Sequence, residues 1–525
     1  MADRLQAFSI NAPFQGIVRN YPAYLIPNSA IYDCSNVRFV RGMAEKVKGY
    51  NKFWSTPLTG ELQYLEHYFL NSGNDKLVAI TTSNAYYWDT VSNSFINITG
   101  TALSGVLDNP VVADVAFNKL YFTNFLDFPK YWDGSTATID NVPCLCGTPT
   151  ASIEGGYSTC KARIVKGFQN FVIVASTVED GNDFPQRLRW CQYGDPTKWK
   201  NETDGSGMAG FIDFRDGQDW IVALTSIQNY LVIFKERSIY IASFIGSPFV
   251  FQTQKVADNI GALSVKSIVS LGDRVIFIGP DNFYEFNGTN LNPIGDSIKL
   301  DFFGAVNPQA IDQVYAFQVQ EDEEIWFCYP DTSHSSPNTA YIYNYVQRTW
   351  GKRDLPMSCA GHYWNTGTKT WADLTQPIYT YDIYWDKRTL VSESPLNLVG
   401  DTNGYVYKIS DILDNADGYD IDGWLLSKLY DMGNSAIIKR LQRIQFLISR
   451  EGSYNLSVSV YTSDNVNDTP VLNGPYSFSL KDTSSPFLDL DLSARYFQIK
   501  IETQLQGQPW SLEGMVLYYV PRGPF

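Results

Sequence analysis

Helical periodicity is nearly absent from this sequence, so its fold is not built on amphipathic helices. Histidine is scarce, with three residues in 525, which makes chemistry based on several histidine ligands improbable. Positive charge is also short: 40 Lys and Arg face 55 Asp and Glu, a net charge of −15, with a pI near 4.7. A surface that grips nucleic-acid phosphates needs clustered cations, so that mode of contact is disfavoured. A wall past which DNA slides is not, because like charges lower adhesion. No apolar run approaches the length of a membrane span, and Met1 to Gln6 lack the apolar core of a secretory leader.

The seven cysteines (Cys34, Cys144, Cys146, Cys160, Cys191, Cys328 and Cys359) are odd in number and scattered, without C-x-x-C spacing. They read as buried reduced thiols in a protein made in the cytoplasm. Cys144 and Cys146 could begin a metal site, but the second half of the ligand set is missing. Five N-x-[ST] sequons, at Asn97, Asn201, Asn287, Asn455 and Asn467, carry little meaning without secretion. No G-x-S-x-G, H-E-x-x-H, Walker A or helix-opening G-x-G-x-x-G occurs.

What is abundant is aromatic and turn-forming. Aromatics make up 15% of the chain, an excess that favours pleated, half-buried surfaces, while 38 Gly and 25 Pro supply many tight turns. Short alternating runs separated by Gly, Asn, Asp and Ser turns recur throughout. Leu77-Val78-Ala79-Ile80 is followed by Thr82-Ser83-Asn84 and then Ala85-Tyr86-Tyr87-Trp88-Asp89. A second Tyr-Trp-Asp, Tyr131-Trp132-Asp133, lies 44 residues further on, a period that matches a four-stranded propeller blade. Variants follow at Tyr230–Phe251, Arg274–Gly288, Glu324–Trp350 and Leu398–Tyr407.

No such unit could bury both faces alone, whereas radial stacking buries them and leaves short, protected edges. The expected fold is therefore all-β: a β-propeller of six or seven blades over residues 51–410. An extended N-terminal arm (1–50) precedes it, and a linker (411–423) and a C-terminal β-sandwich-like domain (424–525) follow. The competing arrangement is a set of unrelated β-sandwiches.

Candidate sites are few. His67 reads as a packed strand residue, His334 as an exposed turn residue and His362 as ordinary packing. Glu321-Asp322-Glu323-Glu324, the densest acidic run, falls at an expected hairpin turn and reads as solvated. Asp414 to Asp422 has the composition of a calcium loop without EF-hand spacing, and a linker is favoured. Lys439, Arg440, Arg443 and Arg450 form the only basic cluster, read as a solvated sheet surface or a contact for an acidic neighbouring subunit. No catalytic, cofactor-binding or metal-binding residue is assigned. The carboxylates leave open a pair that works on, or binds, a glycan.

Several passages resemble the tail nozzle (tail hub) proteins of short-tailed phages. The first is Pro22-Ala23-Tyr24-Leu25-Ile26-Pro27-Asn28-Ser29-Ala30 with Asp33-Cys34-Ser35-Asn36-Val37-Arg38-Phe39, Arg41-Gly42 and Lys46 to Gly49. The second is Phe184-Pro185-Gln186-Arg187-Leu188-Arg189-Trp190 with Gly194-Asp195-Pro196 and Trp199. Others are Phe234 to Tyr240 with Gly261-Ala262-Leu263 and Ser267-Ile268, Ala494 to Phe497, and Trp510 to Gly514. Cys34 stands where the pattern usually has a small residue.

The resemblance implies a non-enzymatic structural protein of the virion tail, containing a propeller. It would form a sixfold homo-oligomeric ring below the portal and adaptor proteins, beside tail fibres or spikes. Genomic double-stranded DNA would be retained there and then ejected through the channel without specific binding. The alternative is a carbohydrate-binding or carbohydrate-active propeller acting on host surface glycans, followed by a cytoplasmic scaffold propeller.

Overall fold

A computed structural model describes residues 5–70, 75–143, 160–199, 207–364, 395–410, 412–449, 452–481 and 486–523. Within them the chain is all-β, with many small sheets. Its helical elements are one seven-residue α-helix, Lys299–Ala305, and one 3-10 turn, Ile311–Gln313.

Seven sheets of four main strands succeed one another. Sheet A comprises Leu62–Tyr68, Lys76–Thr81, Ala85–Asp89 and Ser94–Asn97, each antiparallel to its predecessor. Sheets B, C and D begin at Val112–Ala116, Cys160–Phe168 and Ile221–Ile227; sheets E and F begin at Ile268–Ser270 and Tyr315–Val319. Sheet G begins at Cys359–Tyr363 and continues through Leu396–Gly400 and Val406–Ile409. Its fourth strand is Tyr50–Lys52, from far upstream in the chain.

The second strands explain the layout. Leu77–Thr81, Leu231–Lys235, Val275–Ile278 and Glu324–Tyr329 are buried at every residue, as strands covered on both faces must be. The first strands pack on one another in order from A to G, and that of G packs on that of A. This last approach requires a glycine. A Cβ on Gly361 would stand 1.5 Å from the Leu65 carbonyl oxygen.

The remaining strands form a two-layer sandwich. One layer contains Phe487–Ala494, Ile438–Ser449, Ser511–Arg522 and, on the last of these, Gln6–Asn11. The other runs in the order Ile31–Ser35, Gly423–Ser427, Tyr496–Thr503, Asn455–Ser463 and Val471–Ser479. Leu441, Ile444, Met515 and Leu517 of the first layer share one core with Leu456, Val458, Ile499 and Ile501 of the second. The hairpin Val37–Val40/Met43–Lys46 bridges the two halves. Val37 pairs with Lys352 of sheet F, and Ala44 pairs with Leu512 of the sandwich, so sheet F and the first layer form one ten-stranded sheet.

These strands revise the expected boundaries. Residues 5–50 are not an extended arm: Ile10, Phe14, Ile17, Ile31, Val37 and Phe39 are buried in the core that spans sheets E and F and the sandwich. Nor is 412–423 a plain linker. Asn415–Ala416 and Tyr419–Asp420 form a small hairpin against Tyr50, and Gly423 already opens a sandwich strand. Two of its carboxylates are engaged by lysines, Asp414 with Lys48 at 2.9 Å and Asp417 with Lys52 at 3.2 Å, and Asp420 accepts the Gln506 N–H.

The bridge carries buried charge. The Arg38 guanidinium donates to Asp322 at 2.7 Å and lies 3.7 Å from Glu324, which is fully buried and accepts the Trp326 indole N–H at 2.9 Å. The Glu321–Glu324 run is therefore not a solvated turn throughout, because Asp322 and Glu324 turn inward towards Arg38. Burial pushes the Glu324 carboxyl up to about 7, against the opposing pull of Arg38. Lys46 is 1% exposed, and among the described residues its ammonium donates to neutral acceptors: the Thr503 hydroxyl at 3.2 Å and the Leu505 and Gln508 carbonyls. Burial lowers Lys46 from the ordinary 10.5 to about 8.

Gly361→Ala is expected to cost about 3 kcal/mol or more, read as a lowered denaturation midpoint, because backbone rather than a flexible side chain meets the added methyl. Between pH 8 and 10.5 the unfolded chain binds more protons at Lys46 than the native chain does. Its contribution to stability therefore rises with pH across that window. In matched urea titrations the wild type should gain on Lys46→Met from pH 8 to 10.5, by on the order of 1–3 kcal/mol.

Candidate binding site

The residues singled out in the sequence do not converge. His67 is buried, with its ring 5.6 Å from that of Tyr363 and its Nδ1 accepting the Trp364 backbone N–H. Burial lowers its pKa, outweighing nearby Asp75. His362 stacks on Phe317, and its Nε2 lies 2.7 Å from the Gln318 carbonyl. Burial pulls His362 down, but Glu66 and that carbonyl together raise it. His334 sits in an exposed turn with Asp331 at 2.7 Å. Among the described residues no group of three or more His, Cys, Asp or Glu could hold a metal ion. Cys144 and Cys146 lie outside the described residues, while Cys34, Cys160, Cys191, Cys328 and Cys359 are buried free thiols.

The basic cluster is not a uniform solvated face. Lys439 is fully buried and donates to the Arg495 and Asn434 carbonyls. Arg440 and Arg443 are matched across the sheet by Asp491 and Asp489. Arg450 lies outside the described residues.

A denser ionic constellation, missed in the sequence, occupies sheet C. Glu179 is fully buried and accepts from Arg187 Nη1 at 2.8 Å, from both Nε and Nη2 of Arg189 at 2.9 Å, and from Thr177. Arg187 also grips Asp213 through two hydrogen bonds and lies over the Phe184 ring. Burial would raise Glu179, yet these donors hold it below the usual carboxylate range. Arg187 and Arg189 alternate on one strand, so both reach the same carboxylate. With all its members paired, this constellation ties strands together rather than exposing chemistry.

An open site lies elsewhere, where the segments entering the first strands of sheets B, D, E and F meet the first strand of sheet C. A cavity of about 250 Å³ is lined there by Asn109, Phe125, Arg163, Trp220, Glu236 and Asp312, with Leu263 and Val265 among the apolar residues. Arg163 projects from Cys160–Phe168, its guanidinium 4.3 Å from the centre of the Phe125 ring and 5.8 Å from that of Trp220. It makes no ion pair within 4 Å among the described residues.

Phe125 is held at φ +63°, a costly conformation for a bulky residue. Asn124 secures that turn by accepting the Leu126 and Asp127 N–H groups. Trp220 is 45% exposed, and its backbone N–H donates to the Glu236 carboxylate at 3.3 Å.

Glu236 also lines a second, polar cavity of about 390 Å³ with Asp216, Asp219, Arg237, Lys255 and Asp258. Here Asp216 is lowered by the Tyr240 hydroxyl and Lys255. Asp219 is lowered by Lys235 and Ser238 despite its burial. Both are therefore hydrogen-bond acceptors at neutral pH, not proton donors.

No family model and no curated protein matches the chain. Among solved structures it is similar to the extracellular domain of a protein described as a hybrid two component system from B. thetaiotaomicron. That match has 9% identity, a TM-score of 0.28, and covers 53% of this chain and 38% of that one. It is also similar to PorZ, a surface component of the type-IX secretion system of Porphyromonas gingivalis. There the identity is 11% and the TM-score 0.33, covering 81% of this chain and 48% of that one. The chain thus spans less than half of either neighbour, and likenesses this low do not bear on function.

Glu179→Gln tests the ionic constellation. Leaving Arg187 and Arg189 without their shared anion should cost about 3–5 kcal/mol, measured by chemical denaturation.

Proposed function

We propose that the chain is a seven-bladed β-propeller fused to a β-sandwich, and that it serves as a structural protein of a phage virion. Seven successive sheets support the blade count, with the first strand of sheet G packed on that of sheet A and Tyr50–Lys52 completing sheet G. Closing the last sheet with a strand from the start of the chain locks such a ring against opening.

In this reading the protein forms the tail nozzle, a sixfold ring below the portal and adaptor through which DNA is retained and then ejected. The observation that favours it is where the residues carrying the resemblance lie. Asn36 to Lys46 form the bridge between the two halves, Arg187 and Arg189 hold Glu179, and Trp199 and Trp510 are fully buried. The shared features thus specify a rigid body. A net charge of −15 per chain suits a channel that DNA passes without adhering.

Negative-stain electron microscopy and native mass spectrometry of the purified full chain test the proposal. A toroid of six copies is expected. A protein that stays monomeric and is missing from purified particles overturns the nozzle reading.

A further inference from the structure

We propose that the cleft formed by the Trp220–Arg163 cavity and the adjoining polar cavity is a saccharide-binding site that takes neutral pyranose units. The proposal goes beyond the nozzle reading and does not depend on ring formation, since every residue involved belongs to sheets B to F and their connections within one chain.

The argument begins with the chemistry of the lining. Trp220 is 45% exposed and lines the cavity, and an indole ring suits the C–H face of a sugar. Around it stand acceptors (Glu236, Asp312), a group with open donors (Arg163) and an amide that can do both (Asn109). A ligand whose edge both donates and accepts, and whose face is apolar, matches this set. That describes a ring bearing hydroxyls.

Other ligand classes fit less well. Phosphates and nucleotides would meet Glu236, Asp312, Asp216, Asp219 and Asp258, which line the two cavities. A purely apolar ligand would strand Arg163 and the carboxylates without partners. A metal ion finds no cluster of ligands among the described residues.

Two further observations point to a built site. The Phe125 turn holds a bulky residue at positive φ, and its ring lies under the Arg163 guanidinium. Glu236 is oriented by the backbone of Trp220 and lines both cavities, so a second sugar unit could follow the first into the polar half. There Asp216 and Asp219 stay ionised beside Lys255 and Lys235. Ionised, they accept hydrogen bonds from sugar hydroxyls, while burial raises the Asp312 carboxyl on the Trp220 side of the cleft.

The test uses the full chain with trisaccharides of glucose, galactose, mannose and N-acetylglucosamine, each at up to about 20 mM, in the affinity range of small, shallow sites. Binding is read by saturation-transfer NMR and by tryptophan emission. At least one trisaccharide is expected to saturate the site. Trp220→Ala and Arg163→Lys should each weaken it tenfold or more while leaving the thermal midpoint within a few degrees. Trp220 is exposed and Arg163→Lys keeps the charge, so both variants are expected to fold. Absence of binding by all four sugars, or binding unchanged in Trp220→Ala, overturns the proposal.

Discussion

The hairpin Val37–Val40/Met43–Lys46 is the element on which the rest of the molecule depends. Through Val37 it continues sheet F, and through Ala44 it continues the sandwich, so one hydrogen-bonded sheet crosses the boundary between two bodies. Separate domains joined by a linker would be free to move against each other. Here main-chain pairing and a shared apolar core remove that freedom. The same stretch of chain then supplies Tyr50–Lys52 to sheet G, so the N-terminal residues secure both the joint and the last sheet.

Charge at this joint is arranged to reinforce it. Arg38 is surrounded by Glu45, Asp322 and Glu324, while Lys46 is enclosed by carbonyls and a hydroxyl. Burying such groups costs desolvation energy, which only close partners offset. The effect is specificity of register: a one-residue slip of the hairpin would leave Arg38 and Lys46 facing the wrong side. The Glu179–Arg187–Arg189–Asp213 constellation does the same for the strands of sheet C. In contrast, Arg163 makes no ion pair within 4 Å among the described residues and lies beside the Phe125 and Trp220 rings.

Much of the fold was legible in the sequence because strand alternation and turn residues are local signals. The Tyr-Trp-Asp repeat falls on equivalent places, Trp88 in the third strand of sheet A and Trp132 in the third strand of sheet B. The units read from Tyr230, Arg274 and Glu324 likewise fall in sheets D, E and F. Less visible was the N-terminal segment. Its strands are four to six residues long, separated by Pro- and Asn-containing stretches, and apart from the hairpin's own pairing their partners lie hundreds of residues away. The inward turn of Glu324 and the burial of Lys439 were hidden for a similar reason, since a charged residue beside a turn is usually solvated.

The sequence by itself determined an all-β chain of repeated small sheets with turns at defined places, because the two-residue period and the Gly, Asn and Asp punctuation act within a few residues. Tertiary structure alone decided that residues 5–50 knit the two halves together. It also decided which charges are buried, and that Arg163, Trp220, Glu236 and Asp312 share one cleft. Those outcomes depend on pairings and packing between segments distant in the chain, and no local pattern encodes which distant segments will meet.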